Sequence, residues 1–148
     1  MTWKSWLASK DAQTHATSKK ELDNMRKLIS RDLADAAVKG VSADRRFATA
    51  YNAALQAANM VIACAGYRIT AKVGHHQLSL EAANLALGAS ADKLIQYFDT
   101  CRRKRNKIDY TQSHVASDTE AAEILIKARE ISGMVEGWIA KQHPGLKK

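Results

Sequence analysis

"SDTEAAEILIKAREISGMVEGWIA", residues 117 to 140, decides the fold class of this chain. Ser117 stands three residues before Glu120. In that pattern a serine hydroxyl caps the first turn of a helix and the glutamate reaches back to the N–H of the cap residue. Ala121, Leu125, Ala128, Ile131, Val135 and Trp138 then recur at spacings of three and four. Such a period sets them on one face of an α-helix, the face expected to be buried.

The same pattern repeats upstream. Ser18 and Glu21 have capping-box spacing, and Leu22, Met25, Ile29, Leu33 and Ala36 follow as an apolar stripe. A second long helix is expected after Ser42, with Phe47, Tyr51, Ala54, Ala58, Val61 and Ala65 along one side. A shorter one falls within His75 to Leu87, and a fourth runs from about Ser90 into a basic stretch. Alanine, the best helix former, is the commonest residue, and the single proline is Pro144. Gly40, Gly66, Gly74 and Gly88 fall where an apolar periodicity stops, as expected of residues that relieve the left-handed turn after a helix. The expectation is an all-α, up-and-down bundle of four to five helices. Leu33, Tyr51, Ala58, Leu94, Phe98, Leu125 and Trp138 should lie inside it. Residues 1–17 read as an extension that packs on the bundle through Trp3, Trp6 and Leu7, residues 18–140 as the domain, and 141–148 as a basic tail. Gly133 and Gly137, four apart, read as positions of close helix packing.

Composition bounds the rest. The 148 residues make about one domain, large enough for a core without cross-links. No run approaches the roughly 20 apolar residues that span a bilayer, and the first twenty residues do not read as a secretory signal. The two cysteines, Cys64 and Cys101, lack metal-ligand spacing and suit buried positions in a reducing compartment. A soluble, cytoplasmic protein is expected. No glycine-rich phosphate loop or nucleophile elbow occurs, so no cofactor is called for. Adjacent His75 and His76 would point about 100° apart on a helix, a poor arrangement for one metal, and read as structural or loop residues. No metal site is expected.

Charge is uneven. Asp92 to Lys107 carries six basic and two acidic residues, whereas Asp118 to Ala140 carries two basic and five acidic, so the net +8 sits on the fourth helix and the termini. A localised positive surface attracts polyanions, of which nucleic acid is the commonest. Cations at a helix C-terminus also complement its macrodipole, which is the alternative reading. Spacing separates the two. Leu94 and Phe98 define the core stripe of the fourth helix, and the same stripe continues through Arg102 and Arg105, then Asn106 and Asp109. Guanidiniums on the extension of an apolar face have to occupy a groove, an interface or an ion pair, because an unpaired desolvated charge is costly. Arg103, Lys104 and Lys107 point elsewhere. A second copy of the chain would supply the surface the arginines need, so a homodimer is expected.

"RRKRNKIDY" (102–110) after a long helix, with "YNAAL" (51–55), "AGYR" (65–68) and "GHHQLSL" (74–80) upstream, resembles the HEPN domain (higher eukaryotes and prokaryotes nucleotide-binding) over about residues 18 to 140. The resemblance implies a helical bundle, commonly dimeric. Its members include RNA-cleaving toxins and defence proteins, nucleotide binders, and partners of a nucleotidyltransferase or antitoxin. In ribonuclease members an arginine near the end of this helix is followed by a polar residue and, a turn or two later, by a histidine. Arg105 and Asn106 match the first two, and Asp109 and Tyr110 stand where the histidine would be. The implied catalytic set is Arg105, Asn106 and Tyr110, for metal-independent endoribonuclease chemistry, with Arg102, Arg103, Lys104, Lys107 and Asp109 binding RNA or a nucleotide. The alternative is a non-catalytic dimeric module that partners a nucleotidyltransferase or antitoxin.

Overall fold

The computed structural model describes residues 2–70, 74–110 and 113–148, with the side chains of residues 109 and 110 outside the described set. These residues form six α-helices and one short antiparallel ribbon: α1 (Trp3–Ala8), β1 (Ala12–Thr14), α2 (Lys19–Ala36), α3 (Ala43–Cys64), β2 (Tyr67–Ile69), α4 (His75–Leu87), α5 (Asp92–Tyr110) and α6 (Asp118–Gln142). The fold is mostly helical, as expected, and no described helix is long and apolar enough to cross a membrane.

Helices start where the sequence offers an acceptor. Thr2, Ser18, Ser42 and Ser117 cap α1, α2, α3 and α6. At α6 the box is reciprocal: the Ser117 hydroxyl accepts from the Glu120 N–H at 3.1 Å, and Glu120 Oε1 accepts from the Ser117 N–H at 2.9 Å. At α2 it is one-sided. Glu21 Oε1 turns instead to Thr17 Oγ1 (2.7 Å) and His15 Nε2 (2.8 Å), tying the extension to the helix.

α3 is the axis of the molecule and packs against α2, α4, α5 and α6. Its alanines at 50, 53, 54, 57 and 58 are at most 1% exposed, and with Tyr51, Met60 and Val61 they bury it nearly all round. A helix so largely apolar has to be mostly internal, and its polar strip of Asn52, Gln56 and Asn59 is the partly exposed side. Tyr51, Ala58, Leu94 and Phe98 are buried as expected, whereas Leu33, Leu125 and Trp138 are only partly so. The inner line of α6 is Ala121, Ile124, Ala128, Ile131, Val135 and Ile139. It obeys the same three-and-four rule as the line through Leu125 and Trp138, and the position of α3 selects between them. On α2 the inner line passes through Asp32, with Arg31 Nη2 at 3.0 Å from the carboxylate, and this displaces Leu33.

The glycines need two corrections. Gly133 and Gly137 are exposed, and a Cβ on either would meet nothing within 4 Å, so no helix approaches them. They lie away from the buried line through Ile131, Val135 and Ile139. Gly66 (φ 98°) and Gly88 (φ 90°) follow α3 and α4 as left-handed breaks, but Gly74 (φ 71°) precedes a helix, and Gly40 takes no positive φ.

The extension builds a small second core, in which Trp6 packs with Ala12, Ile62 and Ala82. Trp3 stacks on Tyr67 at 4.2 Å, and β1 pairs with β2 in the register Ala12–Ile69, Gln13–Arg68, Thr14–Tyr67. At the other terminus Arg26 of α2 grips Glu136 of α6 through Nε (2.8 Å) and Nη2 (2.9 Å), and Nη2 also donates to the Leu146 carbonyl. Cys64 and Cys101 are buried free thiols, and burial pushes both pKa values up to about 11.

Candidate functional site

The apolar line of α5 runs through Leu94, Ile95, Phe98 and Cys101, all buried, and then reaches Arg102, Arg105 and Asn106, which are half-buried. Arg103 and Lys107 are exposed. The split expected from spacing is therefore present, and what receives the arginines is the start of α4. Gly74, His75, His76 and Gln77 face Arg102, Arg105 and Asn106 across a cavity of about 370 Å³.

Each wall has a local cause. Arg102 is steadied within α5, where Nε donates to Asp99 Oδ1 at 3.2 Å. Arg105 lies against α3: Nη2 donates to Asn52 Oδ1 at 3.3 Å, and the guanidinium carbon is 5.9 Å from the centre of the Tyr51 ring. That is the outer range of a cation–π contact. The Tyr51 ring also lies 5.9 Å from that of His76, whose own ring meets His75 edge-on at 4.3 Å. Tyr51 is completely buried, yet its hydroxyl has no hydrogen-bond partner among the described residues. Burial pushes the Tyr51 pKa up to about 12, opposed by the charges of Arg105 and Arg102, so the hydroxyl stays protonated and is a donor.

The opening turn of α4 completes the electrostatics. The first four N–H groups of any α-helix lack partners within it, and the positive end of the macrodipole lies there. Gly74 holds the cap position and offers no side-chain acceptor, unlike Ser18, Ser42 and Ser117. Two guanidiniums, a helix N-terminus and two imidazoles thus line one cavity, and among the described residues, which leave out the side chain of Asp109, no acidic side chain is in its walls. Such a site favours an anion with several acceptor oxygens, for which guanidinium supplies paired N–H donors.

The remaining expected residues are placed differently. Lys104 turns to α6 and pairs with Glu120, holding that carboxyl below its ordinary range together with the Ser117 N–H. Because Glu120 is half of the capping box, Lys104 fastens α5 to the start of α6. Arg103 and Lys107 are not among the cavity walls. The side chains of Asp109 and Tyr110 lie outside the described residues. Arg102 and Arg105 find their surfaces on α3, α4 and their own helix, so their placement gives no ground for a second copy.

Sequence reasoning did not bring His75, His76 or Asn52 beside the arginines, and it read Tyr51 only as the core residue that it is. Adjacent histidines cannot share one side of a helix, but both can line a cavity that meets the helix end-on. "GHHQ" after an extended segment, with no serine, threonine or aspartate at the cap, was the available signal. Tyr51 sat on an apolar stripe with nothing to distinguish it from a core residue. No three histidine, cysteine, aspartate or glutamate side chains are grouped for a metal ion among the described residues. Against known proteins, no family model, no curated protein and no solved structure matches this chain.

Proposed function

We propose that this protein binds RNA or a nucleotide by holding a phosphate between the arginines of α5 and the first turn of α4. The observation that supports this reading is the convergence of Arg102, Arg105 and Asn106 with an N-terminus that has no side-chain cap, around one cavity. A carboxylate or sulfate would satisfy the same donors. RNA and nucleotides are favoured because basic Arg103 and Lys107 extend the positive surface beyond the cavity along α5. The likeness of residues 102–110 to the HEPN domain points the same way. Where that family's ribonucleases place a histidine on the arginine's own helix, this chain brings His75 and His76 from α4.

The reading is for binding. A fluorescein-labelled single-stranded RNA should bind the purified protein, inorganic phosphate should compete with it, and affinity should fall steeply with salt as counterions are released. Absence of binding at low salt refutes the proposal. Incubation with total RNA, with and without Arg105→Ala, tests cleavage separately.

A further inference from the structure

His75 lines two cavities. The second, of about 390 Å³, has Met25, Leu55 and Tyr67 among its apolar walls and Glu21, Asn59, His15 and Arg68 among its polar ones. Tyr67 is held in place by its stacking on Trp3. Each cavity lies in the size range of small-ligand sites. Among the described residues the first has only polar side chains in its walls, two of them guanidiniums. The second adds apolar walls, among them the Tyr67 ring, to a mixed polar set that includes the Glu21 carboxylate, the Asn59 amide and the Arg68 guanidinium. A ligand that occupies both is an anion at one end and, at the other, a ring with apolar faces and a polar edge.

We propose that the second cavity is the base subsite of the phosphate site, so that a nucleotide unit binds with its phosphate at Arg102, Arg105 and the first turn of α4, its sugar beside His75, and an amine-bearing base against Met25, Leu55 and Tyr67. The inference rests on the phosphate reading above and adds the ligand's other half. Other phosphorylated ligands fit less well. An acyl chain would desolvate the Glu21 carboxylate without compensation, and a sugar phosphate would set hydroxyls against Leu55 and Met25. The amine follows from Glu21. Both of its described bonds, from Thr17 and with His15, fall on Oε1, so Oε2 is the oxygen open to a donor. The same two partners, His15 first, hold its carboxyl below the ordinary range, keeping it an ionised acceptor. Adenine, cytosine and guanine carry an exocyclic amine to meet it, whereas the one donor on uracil's edge, N3–H, lies between two carbonyls that the carboxylate repels.

Titrations followed by amide and methyl NMR on the full chain test this. Inorganic phosphate should shift the amides of His75, His76 and Gln77. AMP should shift these and also the Asn59 side-chain amide and the Leu55 methyls, binding about tenfold more tightly than phosphate. UMP should bind about tenfold more weakly than AMP, through the lost bond to a charged acceptor. Leu55→Trp, which fills the second cavity, should erase the AMP advantage and leave phosphate binding unchanged. Asn59→Ala gives a milder second variant should the tryptophan disturb folding. Oligoadenylate that shifts Asn59 and Leu55 as AMP does assigns the base to RNA, and AMP acting alone assigns it to a free nucleotide. Both support the subsite. If AMP shifts only what phosphate shifts, or UMP matches AMP, the subsite is overturned. If phosphate and AMP both leave the start of α4 unmoved, the phosphate reading itself has failed, and the subsite with it.

Discussion

Arg105→Ala and Lys104→Ala each remove one positive charge from neighbouring positions, and the proposed phosphate site predicts very different effects of the two on RNA binding. Arg105 is half-buried, braced by Asn52 and Tyr51, and lines the cavity, so its donors are already oriented. A hydrogen bond to a charged group contributes about 1.5–3 kcal/mol, which converts to roughly a 10- to 150-fold loss of affinity. Lys104 is engaged with Glu120, and its removal deletes a charge that is already paired. That change should stay within about 1 kcal/mol, or roughly fivefold. Fluorescence anisotropy with labelled single-stranded RNA at several salt concentrations reads both affinity and mechanism. Losing one phosphate contact lowers the log–log salt slope by about 0.7 for a single strand, so Arg105→Ala should flatten the slope and Lys104→Ala should leave it unchanged. Arg105→Lys keeps the charge without the fork and should fall between wild type and alanine. A thermal melt on each variant guards against misfolding, since Arg105→Ala also strands Asn52. Equal losses of affinity and slope for the two alanine variants would reduce the stretch to a basic surface and refute the placement argument.

Tyr51→Phe should leave folding stability unchanged or raise it by up to about 1 kcal/mol, because it deletes a buried hydroxyl with no described partner, and it should leave RNA binding unchanged because Tyr51 is not among the cavity walls. A denaturant titration paired with the anisotropy assay reads both, and a clear loss of stability would show that the hydroxyl is satisfied within the fold. Arg26→Ala should cost about 2–4 kcal/mol in the same titration, since it strands a largely buried Glu136 and frees the Leu146 turn, and a cost below about 1 kcal/mol would contradict this. Acid should destabilise the protein. His15 and Thr17 depress the folded pKa of Glu21 below its ordinary 4.5, so its contribution is present above that value and is lost as pH falls through the folded one. Melting points between neutral pH and the acid limb should show that decline, less steeply in Glu21→Gln, where Asp23 and Glu120 still contribute. Cys64 and Cys101 should react with a thiol reagent at mildly alkaline pH only after denaturation, because burial holds both as thiols, and prompt reaction of the native protein would show that one is accessible.

How much of this was legible in the sequence depends on whether the information was local. Caps and helix breaks are set within four or five residues, and Ser18, Ser42, Ser117, Gly66 and Gly88 serve as the sequence suggests. Which of two adjacent stripes faces inward is not local. Leu125 and Ile124 satisfy the same period, and only the seat of α3 against α6 chooses Ile124. The site divides the same way. Periodicity along α5 separated Arg102 and Arg105 from Arg103 and Lys107, because all lie on one helix and share its geometry. The half of the site on α4 required knowing that two helix ends meet, and no spacing records that. Lys104 illustrates the reverse error: counted with the basic surface by proximity in sequence, it is claimed by a carboxylate sixteen residues away.

The site is also where the fold forgoes its usual satisfactions. Four helices begin on a serine or threonine whose oxygen accepts a first-turn N–H, and α4 begins on Gly74. Tyr51 is the buried hydroxyl without a described partner, and Arg102 and Arg105 are cations on the continuation of an apolar line. Trp6 Nε1 is likewise unpartnered, but its cluster is apolar throughout, so it marks only the cost of burying an indole. At α4 and α5 the groups that line the cavity are of one sign. First-turn N–H groups and two guanidiniums are each stabilised by negative charge, although Arg102 also bonds to Asp99 and Arg105 to Asn52. Sequences are expected to agree with their folds at every level except where function needs otherwise. Donors gathered from two helices around one cavity are a departure that folding alone does not reward. The proposed binding would account for it: a ligand that binds only the folded chain stabilises it by RT ln(1 + c/Kd) at free concentration c, so inorganic phosphate should raise the melting point, and no shift at millimolar phosphate would count against the site.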